Sequence, residues 1–570
     1  MAWCILSTLL PILLLIAAWF RYRPRTLAGI PCWPQCHPIL GDLLRLHEIT
    51  KDQGSFTDFL DLTAKTLGPV SQIRLGPFAH MIIITDYQEI ESLLLRRHSS
   101  LDRSKETMNL FRTILPQALL TMKTGERWRH HRKIIGPAMT TKYLRLAMPN
   151  INPTADLLIE FWECKGRLAS GRAWEGEIDL ESATMDAICG MAFGQSWGVL
   201  QSYIQQVRHK GAGSYVVGER GEAIFRLTVP DLARSTWYMF DVVPVQSPFP
   251  QLTHLFSRLT PSYNRHTRRI DDFLTQRVEY AKRKAQALAP ELALDVADNT
   301  LDLMMARQLD GLQGLSDFET KQELFQYLLA GSETSSTTLA WWCKFVTNHP
   351  QVQRKLRQHL QVRLTDLRDR QPTYEELSSS NVPYLEAVVH ETLRLARTAG
   401  AYLRDTTEDM IILGHHVPKG TTLVFPTSTG YEDCSSFFSA GTLIGEASRG
   451  EQKTADPLSE CRTDHHPRRV GHWDDGTGHI FDPERWMTPD GMFNAVAGPS
   501  LPFSLGQRRC FGKNLALMEL RVFIAKLNLA FFFAPVPASQ NGFERVDKVI
   551  SHPKDCYIRP VQWEMVVTDS

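Results

Sequence analysis

The order of apolar and polar positions divides the 570-residue chain before any chemistry is considered. Residues 3–20, WCILSTLLPILLLIAAWF, hold no charge for 18 positions, about the length that spans a hydrocarbon core of roughly 30 Å. Arg21, Arg23 and Arg25 follow at once, and no Lys or Arg precedes the run. That order predicts a transmembrane signal anchor over residues 1–20, single-pass, with the rest of the chain cytoplasmic. The alternatives are a buried helix or a cleaved signal peptide, which puts its basic residues first. Pro24, Pro31, Pro34 and Pro38 cannot all sit inside a helix, so residues 21–42 read as a basic, proline-rich hinge. From Leu43 onward helical periodicity alternates with short strand-like pieces such as HMIIIT at 80–85. The longest helical patterns cover 318–349, 384–396 and 510–529. Together they predict a mainly α chain with small β-sheets, in which 43–570 form one domain. Between about 430 and 479 the periodicity lapses into a Ser-, Gly-, Asp- and His-rich stretch, which reads as an inserted surface loop.

Composition narrows the function classes. With 43% hydrophobic and 22% charged residues the chain is an ordered globular protein. A net charge of +1 and the lack of long charge blocks give no argument for a nucleic-acid partner. Ten cysteines without a C-x-x-C pair suit free thiols in a reducing compartment better than a disulfide framework.

One of those thiols stands apart. In FSLGQRRCFG, residues 503–512, Cys510 follows Arg508 and Arg509 and lies between Gly506 and Gly512. Glycines permit close approach of backbone to something flat and bulky. A cysteine where a helix begins has its thiolate favoured by the positive helix end, and such a thiolate suits an iron axial ligand. For an arbitrary cysteine the plainer reading is a buried free thiol. The five-position spacing F-x-x-G-x-R-x-C-x-G argues against it.

With that spacing the chain resembles the cytochrome P-450 family of haem-thiolate monooxygenases. The resemblance implies the cytochrome P-450 fold, preceded by an N-terminal transmembrane helix, and haem b held by Cys510. Phe503, Gly506 and Gly512 would border the haem, and Arg508 would meet a haem propionate. AGSETSS at 330–336 is similar to the family's oxygen-activating helix segment. There Ala330 and Gly331 would provide small residues and a helix irregularity beside dioxygen, and Glu333 and Thr334 the acid and alcohol that relay protons. Taken alone, a Ser/Thr-rich helical turn is more often an ordinary back-bonded face. ETLR at 391–394 places Glu391 and Arg394 on one helix face, and the resemblance joins them with Arg485 of FDPERW in a buried structural charge network. WRHHR at 128–132 matches the family's W-x-x-x-R helix, making Trp128 and Arg132 propionate partners, and Arg404 occupies a further propionate-binding place.

The insertion makes the step from Gly420 to Phe481 longer than the family's common form. Its ending, VGHWDDGTGHIFDPERW, resembles that of filamentous-fungal members, which points to specialised metabolism. The resemblance implies a monooxygenase at the endoplasmic reticulum membrane facing the cytosol. It would take O2, electrons from NADPH-cytochrome P-450 reductase or cytochrome b5, and a lipophilic small molecule such as a terpenoid, polyketide or alkaloid. Arg129, Arg509 and Lys513 could meet an acidic reductase surface. Residues 101–121 and 398–403 and the helix face at Ala330 are the expected substrate contacts. Two rivals are a haem-thiolate isomerase or dehydratase needing no external electrons, and a non-catalytic haem-binding membrane protein. Retention of Glu333 and Thr334 counts against the first, and retention of Cys510 with the relay pair against the second.

Overall fold

The computed structural model describes residues 26–565 apart from 52–53, 77–78, 246, 248–249, 289–291, 293–295, 310–313, 365–369, 429–469, 472 and 474–476. The expected anchor at 1–20, the start of the hinge and nearly all of the 430–479 stretch therefore lie outside the described residues. Among the described residues no helix is long and apolar enough to cross a membrane. The chain is mainly helical with small sheets and divides into two compact units.

The first unit holds residues 26–102 and Ala401–Pro426. Helix α1 (Phe56–Leu67) starts at a capping box in which Ser55 and Asp58 satisfy each other's backbone N–H groups. Strands β1 (Val70–Leu75) and β2 (Ala79–Ile84) form an antiparallel pair, and β3 (Ala401–Thr406) and β4 (Thr422–Pro426) form another. Four strands of the sheet run in the order β1–β2–β4–β3, with β4 parallel to β2. Every residue of β4 is buried, which explains a strand without polar alternation. Phe59, Leu60, Ile73, Ile83 and Val424 form the core, and Trp33 of the proline-rich segment joins it. That segment is tied down from Leu27 onward. Gln72 of β1 donates to the carbonyls of Leu27 (2.9 Å) and Ile30 (2.6 Å), and the Trp33 indole donates to Thr63 Oγ1 at 3.3 Å.

The second unit holds Arg103–Gly400 and the described residues from 470 to 565. Its principal helices are α2 (Glu126–Ile135), α3 (Thr141–Ala169), α4 (Glu177–Phe193), α5 (Asp317–Thr347), α6 (Pro383–Ala396) and α7 (Lys513–Ala530). Helix α5 is buried on almost every side from Leu328 onward, as expected of a helix running through a large core. It begins at a Ser316–Glu319 capping box and packs along α4. At their closest approach a Cβ on Gly331 would stand 2.5 Å from Ile188 Cδ1. A short antiparallel hairpin, β5 (Arg545–Asp547) with β6 (Ser551–Pro553), closes over α5. The Trp341 indole of α5 donates to the Ser551 carbonyl at 3.1 Å.

Candidate active site

The cysteine turn is built by local hydrogen bonds. The Cys510 N–H donates to the Phe503 carbonyl at 2.8 Å and the Arg509 N–H to Gly506 at 3.2 Å, closing residues 503–510 into a loop. Gly506 has φ 71°, a left-handed conformation that side-chain-bearing residues adopt reluctantly. Gly512 differs, since among the described residues a Cβ there would meet nothing within 4 Å beyond its own chain neighbours and helix backbone. Its lack of a side chain leaves room for a neighbour outside the polypeptide. Gly512 is also the N-cap of α7, so the cysteine precedes the helix instead of opening it.

Cys510 is exposed, whereas Cys164, Cys189, Cys343 and Cys556 are buried. Dense surroundings still push its thiol above the ordinary value, with the Gly512 N–H and the charges of Lys513, Arg132 and Arg103 acting the other way. Those groups favour the thiolate that iron ligation requires. Around it the expected propionate partners assemble. Trp128 is buried on α2, with the Arg508 guanidinium 4.4 Å from its ring centroid and that of Arg132 at 5.2 Å. Arg132 also lies 4.5 Å from the Phe511 ring. Arg508 donates through Nε to Thr124 Oγ1 at 2.8 Å and through Nη2 to the Met122 carbonyl. Phe503 is half-buried at the start of the loop. Arg404 is buried on β3 in the first unit, with Nη1 donating to the Leu403 carbonyl at 2.8 Å.

On α5 the AGSET segment splits between two faces. Ala330 is exposed and Thr334 half-exposed in the middle of an otherwise buried helix, one turn apart on one side. Glu333 is buried, and its Oε1 lies 3.0 Å from His552 Nε2. The expected helix irregularity is not found: α5 is α-helical throughout, and Thr334 Oγ1 donates to the Ala330 carbonyl at 2.7 Å. Gly331 is accounted for by its closeness to Ile188, a packing reason that a search for a distorted turn overlooks. Helices α5 and α7 pack together, with the buried Glu519 carboxyl on α7. The oxygen-side segment and the cysteine helix thus belong to one packed core.

The residues of this site fit haem b, a flat iron macrocycle with two carboxylates. They offer one exposed cysteine amid groups that favour its anion, an Arg–Trp–Arg stack suited to carboxylates, and an open small-residue face on α5.

Glu391, Arg394 and Arg485 come together as expected. Arg394 grips Glu391 with Nε at 2.6 Å and Nη2 at 2.7 Å, and Arg485 Nε reaches it at 3.0 Å. The Trp486 indole and the Asp482 N–H, each at 2.9 Å, complete the shell of the carboxylate. Burial opposes this charge, but the two guanidiniums outweigh it and hold Glu391 below the usual carboxylate range. Sequence reasoning missed Trp473, which stacks near both Arg394 (5.6 Å) and Arg485 (5.3 Å). The V-G-x-W phrase was its signal. It also missed His552, which sits in SHPKDC without any recognisable motif.

Known proteins resemble this chain along nearly its whole length. The family model for cytochrome P-450 matches residues 31–440 and 477–558. The gap, 441–476, lies inside the 430–479 stretch. A cytochrome P-450 monooxygenase of Pestalotiopsis microspora is 27% identical over 96% of this chain and 97% of its own. Another, of Fusarium sporotrichioides, is 26% identical over 98% of this chain and 99% of its own. A third, of Penicillium rubens, is 28% identical over 93% of this chain and 91% of its own.

Proposed function

Since the chain belongs to the cytochrome P-450 family and is a monooxygenase with a cysteine-ligated haem b, we propose that it oxidises a lipophilic small molecule in fungal specialised metabolism while anchored in the endoplasmic reticulum membrane. Cys510 carries this reading, as an exposed residue in a loop closed at 2.8 Å by its own N–H and backed by Lys513, Arg132 and Arg103. Haem b, when bound, supplies reductive activation of dioxygen for insertion into a C–H bond.

The chain's own residues do the rest. Cys510 would hold the haem iron, and Arg508, Arg132 and Trp128 would hold the propionates; the resemblance alone gives Arg404 a further propionate. Thr334, on the open face of α5, would offer its hydroxyl to the oxygen chemistry, and the buried Glu333 would hold the proton. Glu391, Arg394 and Arg485 keep the segment around 477–486 in place without touching the reacting atoms.

Residues 101–121 are the expected wall for substrate. The N–H of Leu119 donates to Glu323 Oε1 (2.9 Å) and that of Leu120 to Gln326 Oε1 (2.7 Å), both on α5. A lipophilic substrate is supported by the apolar character of 398–403. The uncharged run at 3–20, with arginines only after it, supports the anchor and the cytosolic orientation. The exposed apolar side chains Leu252, Leu255, Phe256 and Leu259 give the globular part a surface suited to a bilayer. Exposed Arg129, Arg509 and Lys513 near the cysteine turn support docking of NADPH-cytochrome P-450 reductase or cytochrome b5. Relatives from three fungal genera and a long stretch at 430–479 support a place in specialised metabolism.

The deciding experiment is the reduced, carbon-monoxide-bound difference spectrum of the full-length protein beside Cys510→Ala. A Soret band near about 450 nm in the parent and its loss in the variant are expected for a thiolate-ligated haem. A folded, haem-loaded parent without that band would overturn the assignment of Cys510.

A further inference from the structure

Behind Glu333 lies a cluster of ionisable groups that the chemistry described so far does not use. His552 of β6 stands between two carboxylates from different helices. Its Nε2 is 3.0 Å from Glu333 Oε1 on α5, and its Nδ1 is 2.6 Å from Glu177 Oε1 on α4. Thr337 Oγ1 of α5 approaches Nδ1 at 3.1 Å. Exposure falls inward along this line, with the Glu177 side chain at 25%, His552 at 11% and Glu333 at 8%. Glu181 of α4 borders the same cluster, as does Lys548, whose Nζ is paired with Asp241 Oδ1 at 3.0 Å. A latch between the hairpin and α5 would need one partner for the imidazole. Here both ring nitrogens face acids, one leading to solvent and the other to the residue that holds the proton at the oxygen-side helix.

We propose that His552 is a positioning residue that passes solvent protons from Glu177 to Glu333 during oxygen activation. The inference rests on the monooxygenase reading and on Glu333 as its acid. The Nε2–H bond of the imidazolium breaks as an O–H bond forms on the Glu333 carboxylate. The neutral ring keeps its Nδ1 proton, hydrogen-bonded to Glu177. The neutral ring then turns Nε2 toward Glu177, accepts there a solvent proton handed over by Glu177, and turns back as imidazolium. Burial disfavours this charged ring, but Glu177 and Glu333 outweigh burial and raise it to about 9. The relay is therefore charged at neutral pH and fails as pH rises through about 9.

The test uses the full-length, haem-loaded protein with reductase and NADPH, comparing the parent with His552→Gln and Glu177→Gln. Peroxide-driven oxidation of a chromogenic phenol serves as control, because hydrogen peroxide brings its own protons. Both variants are expected to keep the carbon-monoxide band and to oxidise NADPH about tenfold or more slowly. Their solvent deuterium isotope effect should rise, while their peroxide-driven rate stays within about twofold of the parent. Nitrogen-15 NMR of the histidines gives a readout independent of turnover. The resonance missing in His552→Gln should titrate near about 9 in the parent and move toward about 6.5 in Glu177→Gln. Equal loss of NADPH- and peroxide-driven rates, or an unchanged NADPH-driven rate, overturns the relay. Should His552→Gln fail to fold, Glu177→Gln answers the same question. Loss of the carbon-monoxide band in the parent instead overturns the monooxygenase site, so the two failures are distinct.

Discussion

Glu391 is fully buried and meets two guanidiniums, an indole and a backbone N–H. Its replacement by Gln leaves Arg394 and Arg485 as adjacent buried cations without the carboxylate that pairs with both. Loss of about 3–5 kcal/mol is expected, measured by chemical unfolding together with retained haem. Gly331 makes a different demand, since a Cβ there meets the Ile188 side chain at 2.5 Å. Gly331→Ala should destabilise by about 1–3 kcal/mol through overpacking. Shortening the partner in Gly331→Ala/Ile188→Val should restore part of that loss. A double-mutant cycle without coupling would mean that this contact does not set the distance between α4 and α5. Of these two roles, the sequence exposed the first through E-T-L-R. It hid the second, because the contact joins residues far apart in the chain.

At the scale of elements, the segment after the 430–479 stretch returns to brace the core. Trp473 packs edge-on against Trp486 with ring centroids 5.0 Å apart, and its indole donates to the Pro499 carbonyl at 2.9 Å. A Cβ on Gly498 would lie 2.4 Å from the Trp473 ring, a rigid neighbour that cannot yield locally. Gly498→Ala is therefore expected to displace Trp473 from Arg394 and Arg485, lowering unfolding stability by about 1–3 kcal/mol. The loss should be smaller when Trp473 is already Leu. Helix α5 is held at its N-terminus by Glu319, which accepts from Ser316 and Arg127. Burial acts to raise this carboxyl, but those bonds prevail and bring it down to about 2. Its stabilisation is full above the unfolded value of about 4.5 and is lost as pH falls through about 2. Acid melting should reflect that loss, and Glu319→Gln should flatten it. The boundaries of α5 and α6 were legible from periodicity to within two residues. That of α7 was not at its start, since the turn at Cys510 has the composition of a helix start but the hydrogen bonds of a loop.

For the whole molecule, the pattern of buried acids governs response to pH. Burial raises Glu519 and Glu181 to about 8, with Glu333 and Glu177 adding to the rise at Glu181, and burial likewise raises Glu175 to about 7. Carboxyls raised by folding are accommodated while protonated, and they cost stability as pH climbs from about 4.5 through these values. His552, raised to about 9, stabilises fully below about 6.5 and loses its contribution as pH passes 9. Both effects have the same sign, so thermal stability should decline steadily from about pH 6.5 to 9. Glu519→Gln, which keeps the shape and removes the titration, should lessen the decline, as followed by melting across that range.

The sequence by itself determined the family, the cysteine turn, the mainly helical class and the members of the Glu391 network. Each of these is written in spacing: F-x-x-G-x-R-x-C-x-G places Arg508 and Cys510 in one short turn, and E-x-x-R puts Glu391 and Arg394 on one helix face. Only the tertiary structure decided what stands opposite. It set Trp473 beside Arg394 and Arg485, Ile188 against Gly331, and His552 between Glu177 and Glu333. Those partners are separated by up to 375 positions in the chain. Periodicity and motif spacing report neighbours along one element, whereas such pairings arise from how the helices and the C-terminal hairpin pack.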